Sequence, residues 1–286
     1  MPFPQARLET ISRRFHETLF EGADGAVARE FLSRRGTPLA ALRPHEIGFC
    51  PPDLLYPDAK RLRVGDHLWS MRGRVVITIR DHRGKILGFA GRRVESCEDA
   101  VAKSIKEQGL SEERTAFLVE MWRDRKWINE RFEKSKMLFG LWDRRKVILQ
   151  AGHAVLVEGQ MDSIVCDVNG IKNTVAICGS AMNRYQMALL RRYAEGIVLC
   201  LDRDEGGAKA KAAIIEVARK MGVPFHSVEF PPGKDPEDVL NSEKCRKAFL
   251  WAVGEAGKRL NGGSIDIEDP SVLLAANIAS SGDPYV

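Results

Sequence analysis

The sequence predicts an α/β chain: a Rossmann-like, mostly parallel sheet in the second half, preceded by a smaller α+β part rich in basic residues. Three observations predict it. From about residue 154 to residue 250, short apolar runs alternate with helical stretches, the rhythm of βαβ units. Acidic groups follow three of the apolar runs. The first half instead carries a β-rich run, a glycine-containing turn and an excess of Lys and Arg.

Taken in order, Arg7 to Phe20 and Asp24 to Arg34 space their apolar residues as helices do, and Gly36 can stop the second. Val75–Ile79 and Lys85–Phe89, joined by Arg80-Asp81-His82-Arg83-Gly84, read as a β-hairpin. Residues 98–125 read as a charged helical excursion. The second half gives strands at Ala154–Val157, Thr174–Ile177, Ile197–Leu201 and Phe225–Phe230. The helices between and after them are expected at Ser163–Asn169, Asn183–Tyr193, Gly207–Met221 and Pro236 to about Leu250. A short apolar piece, Val272–Ile278, is expected as a docking helix in an otherwise loose tail. The expected division is a basic part over 1–150, a metal-binding domain over 151–260 and a tail over 261–286.

The 286 residues, 44% hydrophobic and 29% charged, suit a globular protein of one large or two modest domains. No apolar run approaches the ~20 residues that cross a bilayer. The opening Met1-Pro2-Phe3-Pro4-Gln5 has no secretory pattern, so a cytoplasmic protein without a membrane partner is expected. The six cysteines form no C-x-x-C pair, which argues against a disulfide scaffold and a zinc site. Net charge is +5, but its distribution says more. Lys60 to Arg93 holds ten Lys/Arg against two acids, and Arg123 to Lys146 nine against four. Basic stretches beside an acidic site suit an enzyme that handles a polyanion with metal.

The acidic groups are Glu158-Gly159-Gln160-Met161-Asp162, Asp202-Arg203-Asp204 and Asp235-Pro236-Glu237-Asp238. Ligands of an open parallel sheet bind at the carboxyl edge of its strands, where all three groups would lie. Clustered carboxylates repel one another, and hard divalent cations such as Mg²⁺ or Mn²⁺ remove that penalty. Alone, Glu-Gly-x-x-Asp is most often a surface turn, Asp-x-Asp is an even bet, and Asp-Pro-Glu-Asp reads as a helix start. Together, each after its own strand, they are far more specific. Gly206 and Gly207 would open a helix toward phosphate. Trp122, Trp127 and Trp142 sit among basic residues, where packing outweighs base stacking. A helix cap is expected at Ser180 or Asn183.

These motifs resemble the Toprim fold, and within it the bacterial and phage primases of the DnaG type. Val157–Asp162 looks like the family's E-G-x-M-D strand, Val198–Asp204 like its D-x-D strand, and Gly233–Asp238 like its G-K-D-P-D-D. Ile79–Arg92 is similar to the hairpin of the basic subdomain, Lys126–Asn129 to K-Y-L-N, and Lys134–Leu141 to K-G-x-x-L-Y-G-L. The resemblance covers roughly residues 25–245. It implies a DNA primase that copies single-stranded DNA into RNA primers from ribonucleoside triphosphates. It implies that Glu158, Asp202, Asp204, Asp235 and Glu237 hold Mg²⁺ or Mn²⁺, with Asp162 supporting them. Arg80, Arg92, Arg93, Lys126, Lys134, Lys136 and Lys234 would meet nucleic-acid or nucleotide phosphates. Glu237 stands where the family usually has Asp, and residues 94–125 replace a shorter link. With no zinc spacing, site selection and helicase docking are expected from partners, a separate zinc-ribbon protein or a replicative helicase. A Toprim nuclease and a non-catalytic replisome subunit are the rival readings.

Overall fold

The computed structural model describes residues 4–53, 68–107, 109–130, 132–179, 181–202, 204–229 and 235–262. It divides into two compact units, Met1–Ile79 with Lys85–Phe132, and Arg80–Gly84 with Glu133–Val286. The division falls at Phe132, earlier than the boundary expected at residue 150, and the reason is local. Phe139 forms an antiparallel bridge with Ala176, so the segment after Phe132 belongs with the second sheet. The expected tail lies outside the described residues from 263 on, and so does its helix. Among the described residues no helix is long and apolar enough to cross a membrane.

The first unit begins with helices α1 (Gln5–Phe20), α2 (Ala26–Arg34) and α3 (Leu39–Leu42). Its sheet has the order β1-β2-β3-β4, from strands Ile47–Cys50, Arg74–Arg80, Ile86–Arg93 and Trp127–Asn129. β1 pairs antiparallel with β2, and β3 with β4. The apolar stripe of α1, Leu8, Ile11 and Phe15, closes over Val76, Ile86 and Phe89. Phe15 meets Phe89 edge-on at 5.6 Å, a favoured aromatic geometry. Gly48 makes the approach possible, because a Cβ there would strike the backbone of Phe15.

The helical excursion is two helices, α4 (Glu98–Lys106) and α5 (Glu112–Asp124), the second capped by Ser111. Trp122 anchors it as a packing residue: it is buried, and its indole N–H donates to the Arg72 carbonyl at 2.9 Å. Arg74, also buried, donates to the carbonyls of Trp122 (3.2 Å) and Arg125 (2.8 Å). The last carbonyls of a helix have no partner within it, and a guanidinium there both bonds them and meets the negative end of the helix dipole.

The second unit is led by α6 (Leu141–Ala151). Its four strands, β5 (His153–Val157), β6 (Thr174–Ala176), β7 (Gly196–Leu199) and β8 (Phe225–Ser227), lie in the order β6-β5-β7-β8, all parallel. α7 (Gln160–Val168), α8 (Arg184–Leu190) and α9 (Glu205–Lys220) connect them. Leu156, Val175, Ile197 and Leu199 form the buried centre, with Leu141, Ile148, Met187 and Ile214 from the helices. α7 starts at Gln160, not at Ser163 as expected, because the Asp162 carboxylate accepts the Gly159 N–H (3.0 Å) and completes the first turn. The single helix expected from Pro236 is two, α10 (Pro236–Asn241) and α11 (Glu243–Leu260), separated at Ser242, whose backbone is extended. α10 packs on α7, whereas α11 runs along β7 and β8, and one straight helix could not do both.

Candidate metal centre and phosphate-binding residues

The carboxylates gather where the parallel strands end. Glu158 directly follows β5, and Asp202 lies just past β7, its parallel neighbour. Glu158 Oε1 accepts the backbone N–H of Asp202 at 3.2 Å, so the two strand ends are joined. Gly207 allows this closeness, since a Cβ there would collide with the Asp202 carbonyl and lie 2.8 Å from Glu158 Oε1. Asp204 caps α9 by accepting the Gly207 N–H at 2.8 Å, and Asp235 caps α10 by accepting the Asp238 N–H at 2.7 Å. The Gly207 N–H, expected to face phosphate, is therefore engaged by the cap.

Asp162 links the first and third acidic groups. It is buried, with Oδ2 on the Gly159 N–H and Oδ1 accepting the Glu237 N–H at 3.4 Å. Burial raises its pKa well above the usual carboxylate range, and Asp235, Asp202 and Glu237 add to the rise. Asp202 is pushed up to about 7 by burial first, then by Glu158, Asp235, Asp204 and Asp238. Burial also raises Glu158, against the Asp202 N–H, which favours its charged form.

These carboxylates thus feel one another across three chain segments. Among the described residues, however, no three Asp, Glu, His or Cys side chains are drawn together into a ready-made metal-binding group. The caps account for part of this, since Asp204 and Asp235 each have an oxygen turned to their own helix. Mutual repulsion opposes closer approach as well. The donor set nevertheless fits a hard divalent ion. Asp202 Oδ1 is buried with no hydrogen-bond donor, an arrangement that costs free energy until a cation or proton meets it. Glu158, Asp202, Asp204, Asp235 and Glu237 would hold the ion, which would supply charge neutralisation for a phosphoryl group.

The basic residues divide by environment. Arg92 is 7% exposed, pairs with Glu95 at 3.0 Å and lies over the Phe31 ring at 5.3 Å. Its charge is met by Glu95 inside the first unit. Arg93 is half-buried over Trp122 at 5.6 Å, and Lys126 is exposed. Arg80 Nη1 closes the hairpin turn onto the Gly84 carbonyl at 2.7 Å. Lys136 is exposed and pairs with Glu133 at 2.7 Å, while Lys134 is half-buried. The Cys178 thiol, just past β6, is raised by burial, and it feels both the Lys134 charge, which lowers it, and that of Asp162, which raises it. Lys234, Arg203 and Ser180 lie outside the described residues.

The helix cap expected at Ser180 or Asn183 is at Asn183, whereas the part played by Gln186, and the reach of both side chains to the Lys134–Lys136 turn, escaped sequence reasoning. Asn183 and Gln186 form a reciprocal cap on α8, Gln186 N–H to Asn183 Oδ1 at 2.9 Å and Asn183 N–H to Gln186 Oε1 at 3.0 Å. The Asn-x-x-Gln spacing was the available signal.

Residues 155–240 match the Toprim-like family. A DNA primase of Halalkalibacterium halodurans is 27% identical over 267 residues, which is 87% of this chain and 41% of the relative. The chain thus spans less than half the length of that relative. The solved Aquifex aeolicus primase, containing zinc-binding and RNA polymerase domains, superposes with a TM-score of 0.68 at 25% identity, over 88% of this chain and 60% of that one. In fold the chain is similar to the core of DnaG-type primases. A DnaG catalytic domain solved with single-stranded DNA shares the primase fold at a TM-score of 0.66 and 21% identity, over 96% of this chain and 86% of that one. The Toprim-like match takes in all of the acids whose charges raise Asp202.

Proposed function

We propose that this chain is the catalytic core of a DNA primase, copying single-stranded DNA into short RNA primers by metal-dependent nucleotidyl transfer from ribonucleoside triphosphates. The observation that carries the reading is the buried Oδ1 of Asp202, without a hydrogen-bond donor among the described residues, amid carboxylates from three chain segments. Mg²⁺ or Mn²⁺ bound there would stabilise the charge developing on the pyrophosphate leaving group. The residues of the chain do the rest. Glu158 fixes the backbone of Asp202, and Asp162 ties the start of α7 to the start of α10. Lys134, beside the same rim, orients the triphosphate, while Arg80, Arg93 and Lys126 serve template phosphates. Single-stranded DNA bound to a protein of the same fold supports that template. A soluble, cytoplasmic setting follows from this role, and a helicase or a separate zinc-ribbon protein would select the initiation site.

The test is template-directed dinucleotide synthesis on a single-stranded oligonucleotide with labelled ribonucleoside triphosphates and Mg²⁺ or Mn²⁺. Product that depends on template and metal supports the reading. Metal-dependent cleavage of the oligonucleotide with no incorporation would replace it with a nuclease.

A further inference from the structure

We propose that Asn183 and Gln186 are positioning residues for Lys134: they latch the Lys134–Lys136 turn to the start of α8, beside the carboxylates. The proposal rests on the primase reading, because it assigns Lys134 to the triphosphate of the incoming nucleotide.

The register of the chain puts this turn at the rim. Phe139 and Ala176 exchange backbone hydrogen bonds at 2.9 and 3.0 Å in an antiparallel bridge. Following β6 forward therefore means following the neighbouring segment backward. Past Ala176, β6 leads to Cys178, whose N–H donates to the Glu158 carbonyl at 2.9 Å, at the carboxyl edge of the sheet. Backward from Phe139, the chain leads to Met137 and then to Lys134. Lys134 thus arrives at the edge where Glu158 and Asp162 stand, and the buried Cys178 thiol at that edge feels both the Lys134 and the Asp162 charge.

Side chains from α8 hold the turn there. Gln186 is 2% exposed, and its amide donates to the carbonyls of Lys134 (3.1 Å) and Met137 (2.9 Å). The Asn183 amide donates to the Ser135 carbonyl at 2.8 Å. The oxygens of the same two side chains cap α8. Each amide is thus divided between two tasks, oxygen for the helix and nitrogen for the turn. A helix start needs only the oxygens. The nitrogens bridge about fifty residues of chain to a lysine turn whose carbonyls a loop could have left to water. The two lysines differ in a way that fits. Lys136 pairs with Glu133, whereas Lys134 has no carboxylate partner among the described residues. A half-buried ammonium with no counter-ion among the described residues, at the edge that carries the proposed metal centre, is suited to a polyphosphate.

The division of tasks supplies the experiment. Asn183→Asp keeps the capping oxygen and replaces the donor to Ser135 with a charged oxygen that cannot donate, and Gln186→Glu does the same for the donors to Lys134 and Met137. Steady-state primer synthesis would be measured for both, alone and combined with Lys134→Ala, beside Mg·ATP binding by calorimetry and thermal melting. The expected result is a KM for ribonucleoside triphosphate raised about 5-fold in Asn183→Asp and about 10-fold or more in Gln186→Glu. The kcat should stay within about twofold, Mg·ATP binding should weaken in parallel, and neither change should add to Lys134→Ala. Wild-type KM and binding in Asn183→Asp, or effects that multiply with Lys134→Ala, would overturn the proposal. If the buried charge of Gln186→Glu prevents folding, Asn183→Asp decides alone. A wild-type protein that binds Mg·ATP but makes no primer would defeat the primase reading while still reporting on the latch.

Discussion

Glu158 and Asp202 meet through a backbone amide: Glu158 Oε1 takes the Asp202 N–H at 3.2 Å, while Asp202 Oδ1 stays buried and without a donor. One acid thus fixes the other's main chain and leaves its side chain to a cation. The bond also spreads the consequences of changing Asp202, because its side chain can be altered without moving the strand end.

Asp202→Asn should therefore separate stability from activity. Primer synthesis is expected to fall at least about 100-fold, the scale seen when one electrostatic contact to a transition state is lost. The metal-free protein should gain stability. The folded pKa of Asp202 is raised to about 7, so its protonated form is favoured on folding. That contribution is complete below the ordinary carboxylate pKa and is lost as pH rises through about 7. At pH 8 in chelator the asparagine variant should melt roughly 2 °C higher, with the gain shrinking toward pH 5. An equal or lower melting temperature at pH 8 counts against the carboxylate cluster.

Asp162 is expected to behave in the opposite sense. Each of its oxygens accepts a backbone N–H, from Gly159 and from Glu237. Asp162→Asn must turn an NH₂ toward one of those donors. The cost should be about 1–3 kcal/mol in urea unfolding, as for other buried polar groups left unpaired. Calorimetric Mn²⁺ affinity should fall with it, because α7 and α10 would no longer be tied together. Unchanged stability and affinity would remove Asp162 from the site.

The two kinds of basic residue can be told apart by salt. Lys126→Ala should lower the slope of log K against log salt for single-stranded DNA by about 0.7. Arg92→Ala should leave the slope unchanged and instead destabilise the fold by about 1–2 kcal/mol, through its packing on Phe31 and its pair with Glu95. The reverse pattern would return Arg92 to the phosphate-binding set.

A pH effect is also expected within the first unit. Glu130, which accepts the Phe89 N–H at 2.9 Å, is pushed up to about 7 by burial. Its contribution is complete below the ordinary glutamate pKa and declines as pH passes about 7. Glu130→Gln should flatten the stability profile between pH 6 and pH 8 and stabilise the protein at the upper end by at most about 3 kcal/mol. Denaturant titrations at the two pH values read this directly.

Much of the second unit was legible because its signals are local. The run Ile197–Leu201 is apolar enough for a strand buried on both faces, and the acids after it mark its end. The first unit was less readable. Strand β1, Ile47–Cys50, is only four residues long between prolines, and only its pairing with β2 makes it a strand. The depth of Arg92 was not legible for a physical reason: residue type carries its charge but not its burial. The nearby acid Glu95 was the one hint that its charge is met inside the protein. The long reach from Gln186 to Lys134 leaves no trace in a one-dimensional pattern, since both bonds go to main-chain carbonyls.

The caps of α9 and α10 carry one more consequence, which concerns side-chain length. Asp204 and Asp235 each begin a helix, and a cap must be short enough to reach the amide three residues on. Glutamate is too long for that reach. Glu158 stands one residue before the cap position of α7, and Glu237 lies inside α10, so neither is bound by the rule. Helix geometry therefore dictates aspartate at two corners of the acidic rim and tolerates the extra methylene of Glu237. Variation among these acids should follow secondary structure first and metal chemistry second.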